Sequence, residues 1–137
     1  MKGAVISGAT GSIGTALIFH LIKEKMKVLV LYRGESARAD IIPDHPLIVK
    51  RRCSLDQMAT FYSGHDEKYD VFYHFAWAGT FGEVRNDMYL QNMNIKHTLD
   101  AVQLAKRLGC HTFIGAGTQA EYGRVEGKLT PETPTFP

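Results

Sequence analysis

Apolar residues along the chain alternate between short continuous runs and stretches spaced at helical intervals. Gly3 to Ser7 encloses Ala4-Val5-Ile6, Lys27 to Tyr32 encloses Val28-Leu29-Val30-Leu31, and Asp70 to Phe75 and His111 to Ile114 carry similar runs. Short apolar runs rich in branched side chains predict strands buried on both faces, as in a parallel sheet. Leu47 to Arg51 adds a further strand after the Pro43 to Pro46 turn, followed by a short helix from about Leu55 to Tyr62. Ile13, Leu17, Leu21 and Ile22 fall on one face of a first helix that ends in Lys23-Glu24-Lys25. A long helix is predicted from about Asn86 to Leu108, closed by Gly109. Its apolar residues (Leu90, Met93, Ile95, Leu99, Val102, Leu104) lie on more than one side, which predicts broad burial. Strand and helix alternate throughout, so the fold class is α/β with a doubly wound parallel sheet. From Thr130 to Pro137 the chain is a proline-punctuated loop that stops soon after the fifth strand, so the fold is expected to be incomplete on its C-terminal side.

At 137 residues the chain makes about one domain, short for an enzyme that must also hold a substrate. Sixteen basic against 14 acidic residues give a formal charge of +2, and no basic block forms a stripe, so nucleic acid is not an expected partner. Cys53 and Cys110 form no CxxC pair and read as reduced, packed thiols. No signal peptide precedes the first strand, and no apolar stretch approaches the roughly 18 residues of a membrane span. A soluble cytoplasmic protein without a membrane partner is expected. No cluster of side chains has metal-ligand spacing, and no metal is expected.

Gly8-Ala9-Thr10-Gly11-Ser12-Ile13-Gly14 changes the picture most, because it joins a strand to a helix through three spaced glycines. Gly8 permits a tight turn, Gly11 lets backbone approach a phosphate, and Gly14 lets the helix sit close to the sheet. The helix then points its N-terminal N–H groups and positive dipole end at the ligand's charge. The stretch reads as a cradle for a dinucleotide pyrophosphate, although glycine-rich turns at strand ends also occur for structural reasons alone. A dinucleotide site reads the adenosine ribose about 20 residues beyond the glycines, and Arg33 lies 19 residues after Gly14. An acidic residue there accepts the ribose hydroxyls of NAD, whereas a guanidinium suits a 2′-phosphate, so NADP is preferred over NAD. A solvated surface arginine is the alternative. Arg38 is read as part of a polar loop, with a second phosphate ligand as the alternative.

Four segments in order resemble the N-terminal part of an extended short-chain dehydrogenase/reductase, the NAD-dependent epimerase/dehydratase family. They are Gly8-x-x-Gly11-x-x-Gly14, His74-Phe75-Ala76-Trp77, Asn94-Ile95-Lys96-His97-Thr98 and Gly117-Thr118-Gln119-Ala120-Glu121-Tyr122-Gly123, and the resemblance spans essentially the whole chain. It implies a Rossmann fold over residues 1–137 as an NAD(P)-binding domain, with the substrate-binding part absent from this chain. The implied cofactor contacts are Gly8, Thr10, Gly11, Ser12, Ile13, Gly14, Arg33, Ser54, Leu55, Phe75, Ala76, Ala78 and Asn94. Small Ala76 and Ala78 would let the cofactor pass close to backbone, or serve packing alone. Asn94, in the middle of an apolar helix, needs partners for its amide and is expected to fix backbone or a water near the active site. His74 is read as a structural strand residue. Thr118 matches the family's catalytic serine or threonine, whose hydroxyl bonds the sugar oxygen at the reacting carbon. As a bare residue it would be a turn or cap former.

Departures from the family pattern shape the rest. The family's Tyr-x-x-x-Lys is not within the 137 residues, so the chain by itself is expected to be unable to perform the redox step. Trp77 stands where a small residue is usual, and Ser54 where an aspartate often contacts adenine. Gln119-Ala120 replaces the acidic pair of the 4,6-dehydratases, which disfavours water elimination. The resemblance therefore implies a nucleotide-sugar 4-epimerase or 4-keto-sugar reductase, with a nucleotide sugar as substrate and a homodimer formed partly through the long helix. Two alternatives are a catalytically inactive NADP-binding regulatory module and a fragment without function of its own.

Overall fold

A computed structural model describes residues 3–34, 38–64 and 68–136. Strands β1 (Gly3–Ser7), β2 (Lys27–Tyr32), β3 (Ile48–Arg52), β4 (Val71–His74) and β5 (Thr112–Gly115) form one parallel sheet in the order β3-β2-β1-β4-β5. Two helices cross over it, α1 (Ser12–Lys23) and α2 (Met88–Arg107), and short 3₁₀ turns fill the other connections. The expected doubly wound Rossmann architecture is present. Each strand lies within one residue of its predicted start.

Strand alternation divides the core in two. Val5, Leu29, Leu31 and Phe72 point to the face where Ala101, Leu104, Ala105 and Leu108 of α2 pack. Ala4, Ile6, Val28 and Val30 point to the other, where Ile18 and Leu21 of α1 close the layer. At about 25 cal/mol per Å² of apolar area, each such fully buried branched side chain contributes about 1.5–3 kcal/mol. These two clusters hold the sheet that positions everything at its carboxyl edge.

Several expectations about helices need correction. The face predicted for α1 packs on the sheet at Leu17, Leu21 and Ile22, joined by Gly14 and Ile18, while Ile13 is left exposed at the helix start. The predicted helix at about Leu55 to Tyr62 is only a 3₁₀ turn, Leu55–Gln57, whose start is fixed by Ser54 donating its hydroxyl and N–H to the Gln57 side-chain oxygen. The long helix starts at Met88, where the Asp87 carboxylate accepts from the N–H groups of Tyr89 and Leu90, after a separate 3₁₀ turn at Glu83–Asn86. It is not broadly buried. Asn94, His97, Ala101, Leu104 and Ala105 face the sheet, whereas Met88, Tyr89, Met93, Ile95, Leu99 and Val102 are exposed. Gly109 closes it as expected, with φ +79° and its N–H donating to the Lys106 carbonyl. Among the described residues no helix is long and apolar enough to cross a membrane.

Candidate active site

The strand order reverses between β1 and β4, and the loops beyond the carboxyl ends of these strands open a crevice at that point. Leaving β1, Gly8 takes φ +73°, and a Cβ there would lie 2.6 Å from both the Ala76 nitrogen and the Phe75 carbonyl carbon. Gly14 is as tightly placed, since its Cβ would meet the Gly8 carbonyl oxygen at 2.6 Å and the Ala9 Cα at 2.7 Å. Gly11 has an extended conformation and serves as the N-cap of α1. Its N–H donates to the Gly8 carbonyl, closing the turn.

The start of α1 therefore has no capping side chain and no acidic residue in its first turn. The orphan N–H groups at Ser12 and Ile13 and the positive end of the helix dipole lie at the carboxyl edge of the sheet, without an acidic partner in that turn among the described residues. Thr10 is half-buried, and Thr15 ties the turn further by donating its hydroxyl to the Ala9 carbonyl. A diphosphate fits this cradle on two counts: no side chain among the described residues caps these N–H groups, and the turn that presents them closes only because Gly8 and Gly14 lack a Cβ.

Arg33 is exposed at the end of β2. Beside it lies an arginine that the sequence reading did not single out. Arg52 pairs with Tyr32 in the β2–β3 register, and its Cδ would lie 3.2 Å from a Cβ on Gly34. Arg33 and Arg52 thus stand at the carboxyl ends of neighbouring strands, β2 and β3. Arg38 is exposed and takes part in an interaction of its own. Ser54 and Leu55 are half-buried below β3, and the Ser54 hydroxyl is directed to Asp56 at 2.5 Å and Gln57 at 2.9 Å.

Beyond β4 a cleft of about 480 Å³ is lined by His74, Phe75, Ala76 and Trp77 on one side and by Ala116, Gly117, Thr118 and Glu121 on the other. Thr118 is exposed and caps the turn Gln119–Tyr122, its oxygen accepting from the Ala120 N–H at 3.2 Å. The capping role anticipated for a bare threonine is real. It leaves the hydroxyl proton without an acceptor among the described residues.

Asn94 is buried and does not reach the cleft itself. Its Oδ1 accepts from the Ala78 N–H at 3.0 Å, and its Nδ2 donates to the Ala78 carbonyl at 2.9 Å. Both polar groups of one loop residue are thereby satisfied by one amide, which fixes the backbone that follows Ala76. Gln91, one turn earlier on α2 and also missed by sequence reading, accepts from the Trp77 Nε1–H and donates to the Gly79 carbonyl. An amide pair at i, i+3 on an otherwise apolar helix was the available signal.

His74 bridges the two strands that form the crevice. Its Nδ1 lies 2.8 Å from the Ser7 hydroxyl in a buried contact. Burial, with a smaller contribution from nearby His97, depresses its pKa to about 4. The unfolded chain therefore binds one more proton between about pH 6.5 and pH 4, so stability is full above that window and falls as the pH drops through it. Chemical denaturation at pH 7 and pH 4.5 is expected to show a loss of up to about 3 kcal/mol, diminished in a His74→Gln variant. An unchanged slope in that variant would place the titration elsewhere. Burial pushes the Cys53 and Cys110 thiols up to about 11, which keeps both protonated and unreactive. Among the described residues no three His, Cys, Asp or Glu side chains stand together as a metal site.

The profile of the family described as "NAD dependent epimerase/dehydratase family" matches residues 4–137. No curated protein sequence matches the chain. Among solved structures, the Bordetella bronchiseptica enzyme WbmH in complex with NAD+ superposes with a TM-score of 0.73 at 21% identity, covering 100% of this chain and 46% of that one. A UDP-galactose 4-epimerase gives 0.71 at 25% identity, covering 98% of this chain and 45% of the other. A Bacillus cereus UDP-glucuronic acid 4-epimerase mutant bound to a fluorinated UDP-glucuronic acid and NAD gives 0.69 at 21% identity, covering 100% and 46%. The chain thus spans somewhat less than half the length of these structural relatives.

Proposed function

Because the chain belongs to the NAD-dependent epimerase/dehydratase family, we propose that it forms the NAD(P)-binding part of a nucleotide-sugar epimerase or 4-keto-sugar reductase. The observation that carries this reading is the closure of the Gly8–Gly14 turn against Phe75 and Ala76 at the point where the strand order reverses. That geometry leaves an uncapped helix start facing a crevice, next to a cleft containing a threonine with a proton to donate.

Gly11, Ser12 and Ile13 would hold the pyrophosphate through backbone N–H groups. Arg33, with Arg52 beside it, would take a 2′-phosphate and so favour NADP. When bound, the dinucleotide supplies or accepts a hydride at a sugar carbon. Thr118 holds the sugar oxygen at that carbon by hydrogen bonding, which orients the ring and limits its freedom before reaction. Asn94 acts at one remove, by fixing Ala78 and with it the wall of the cleft. The exposed apolar side of α2, from Met88 to Val102, supports a homodimer in which that face is covered.

Thermal unfolding with each dinucleotide tests the reading. A ligand that binds only the folded form raises the midpoint, and at a hundredfold excess over Kd the gain is about 2.7 kcal/mol, worth several degrees for a domain of this size. Arg33→Ala is expected to weaken NADPH binding roughly tenfold or more while leaving NADH unchanged. Equal losses for the two would remove the 2′-phosphate role, and no shift with either dinucleotide would overturn the cofactor assignment.

A further inference from the structure

We propose that Trp77 is the wall against which the hexose ring of the nucleotide-linked substrate lies, and that Gln91 positions it there; the inference rests on the function proposed above. Trp77 is the only tryptophan of the chain. It lines the cleft beyond β4 and is 45% exposed, so a large aromatic face stays open to whatever enters. The ring is nevertheless held. Its Nε1–H donates to Gln91 Oε1 at 2.9 Å, the same oxygen accepts from Asn94 Nδ2 at 3.1 Å, and Gln91 Nε2 donates to the Gly79 carbonyl at 3.3 Å. Asn94 binds both polar groups of Ala78. Residues 77–79 are thus tied down through two amides one turn apart on α2, and much of the ordering cost of the indole is met before a ligand arrives.

The chemistry around the ring selects the occupant. None of the residues lining this cleft comes from the Gly8–Gly14 turn, so it is a chamber beside the pyrophosphate cradle rather than a part of it. Thr80, Gln91, Thr118 and Glu121 bring hydroxyl, amide and carboxylate groups to its walls, and Arg85 brings a cation. A flat apolar face bordered by such groups matches a pyranose. The C–H face of the sugar packs on the ring while its equatorial hydroxyls reach hydrogen-bonding partners at the border. Arg85 faces the charge of the diphosphate that links sugar to nucleoside.

The test uses the full-length protein and follows the part of its tryptophan emission that Trp77→Phe removes, during titration with UDP-glucose, dTDP-glucose, UDP and dTDP, while NAD(H) binding is measured separately by thermal unfolding. A sugar nucleotide is expected to change the emission where its matched free nucleotide does not. Trp77→Ala is expected to weaken the sugar nucleotide about tenfold and leave the free nucleotide unchanged, with Trp77→Phe recovering most of the loss because a ring face remains. Gln91→Ala should shift the emission maximum of the free protein and weaken the sugar nucleotide in the same selective way. Equal responses to sugar nucleotide and free nucleotide would assign the ring to the base, a response to NAD alone would assign it to the nicotinamide, and either overturns the proposal. So would silence towards both sugar nucleotides in a protein that still binds NAD(H). Failure to bind NAD(H) counts against the function proposed above, and the emission result is read independently of it.

Discussion

Gly8→Ala is expected to lower stability by about 3 kcal/mol or more and to abolish dinucleotide binding in whatever protein remains folded. Two costs add at this position. The φ of +73° lies where an L side chain is strained, at about 1–3 kcal/mol. The added methyl would also stand 2.6 Å from the Ala76 nitrogen and the Phe75 carbonyl carbon. Those atoms belong to backbone and cannot rotate aside, so β1 and β4 must part or the turn must reshape, and either change moves the donors at the start of α1. Denaturant titration reads the first effect, and thermal shift with NAD+ or NADP+ under conditions where the variant is folded reads the second. A variant of near-native stability that still binds dinucleotide would show that the turn is not the tight element described here. Gly11→Ala is the internal comparison. Its Cβ would lie 3.3 Å from its nearest neighbour, the Gly8 carbonyl oxygen, at a φ that any residue adopts, so a much smaller stability loss is expected.

Asn94→Leu is expected to cost about 2–4 kcal/mol, even though leucine has the same branched heavy-atom skeleton and is apolar. The amide is 1% exposed and satisfies both the N–H and the carbonyl of Ala78. Removing it leaves two partly buried backbone groups to find water or break the loop, while Gln91 loses a donor to its side-chain oxygen. Because residues 77–79 depend on the same pair of amides, the effect should extend to function, with Trp77 emission moving towards that of a solvated indole. A stability loss below about 1 kcal/mol with unchanged emission would mean that the loop is held by something other than α2.

The order and type of the strands were legible because each is a short apolar run, and in a parallel sheet both faces of such a run are used. Helix ends were less so. Asp87 is a recognisable cap, but the polar residues before it fit the same helical spacing, and only the three-dimensional course of the chain separates Glu83–Asn86 from α2. The burial of α2 was misjudged for a physical reason. Leu90, Met93, Ile95 and Leu99 show where apolar side chains point, but not whether a surface of the same chain lies opposite them. Ser54 carries a capping-box signature with Gln57 three residues on, which marks where that turn starts and not how soon it ends. The glycines of the cradle were legible down to their individual roles at Gly8 and Gly14. Arg52 and Gln91 were not, because each matters only through register or through a side chain brought close by folding.

The outward side of α2 has a rhythm of its own. Met88, Ile95 and Val102 are spaced seven residues apart and all are exposed, with Leu99 beside them. A spacing of seven residues is close to two full helical turns, so these side chains line up along one side of the rod. A helix laid along that line would run nearly alongside α2. Since the buried stripe on the opposite side holds α2 to β4, such a neighbour would bear through one rigid rod on the Gln91–Asn94 end that fixes the cleft wall. Assembly and substrate geometry would then share a single mechanical element.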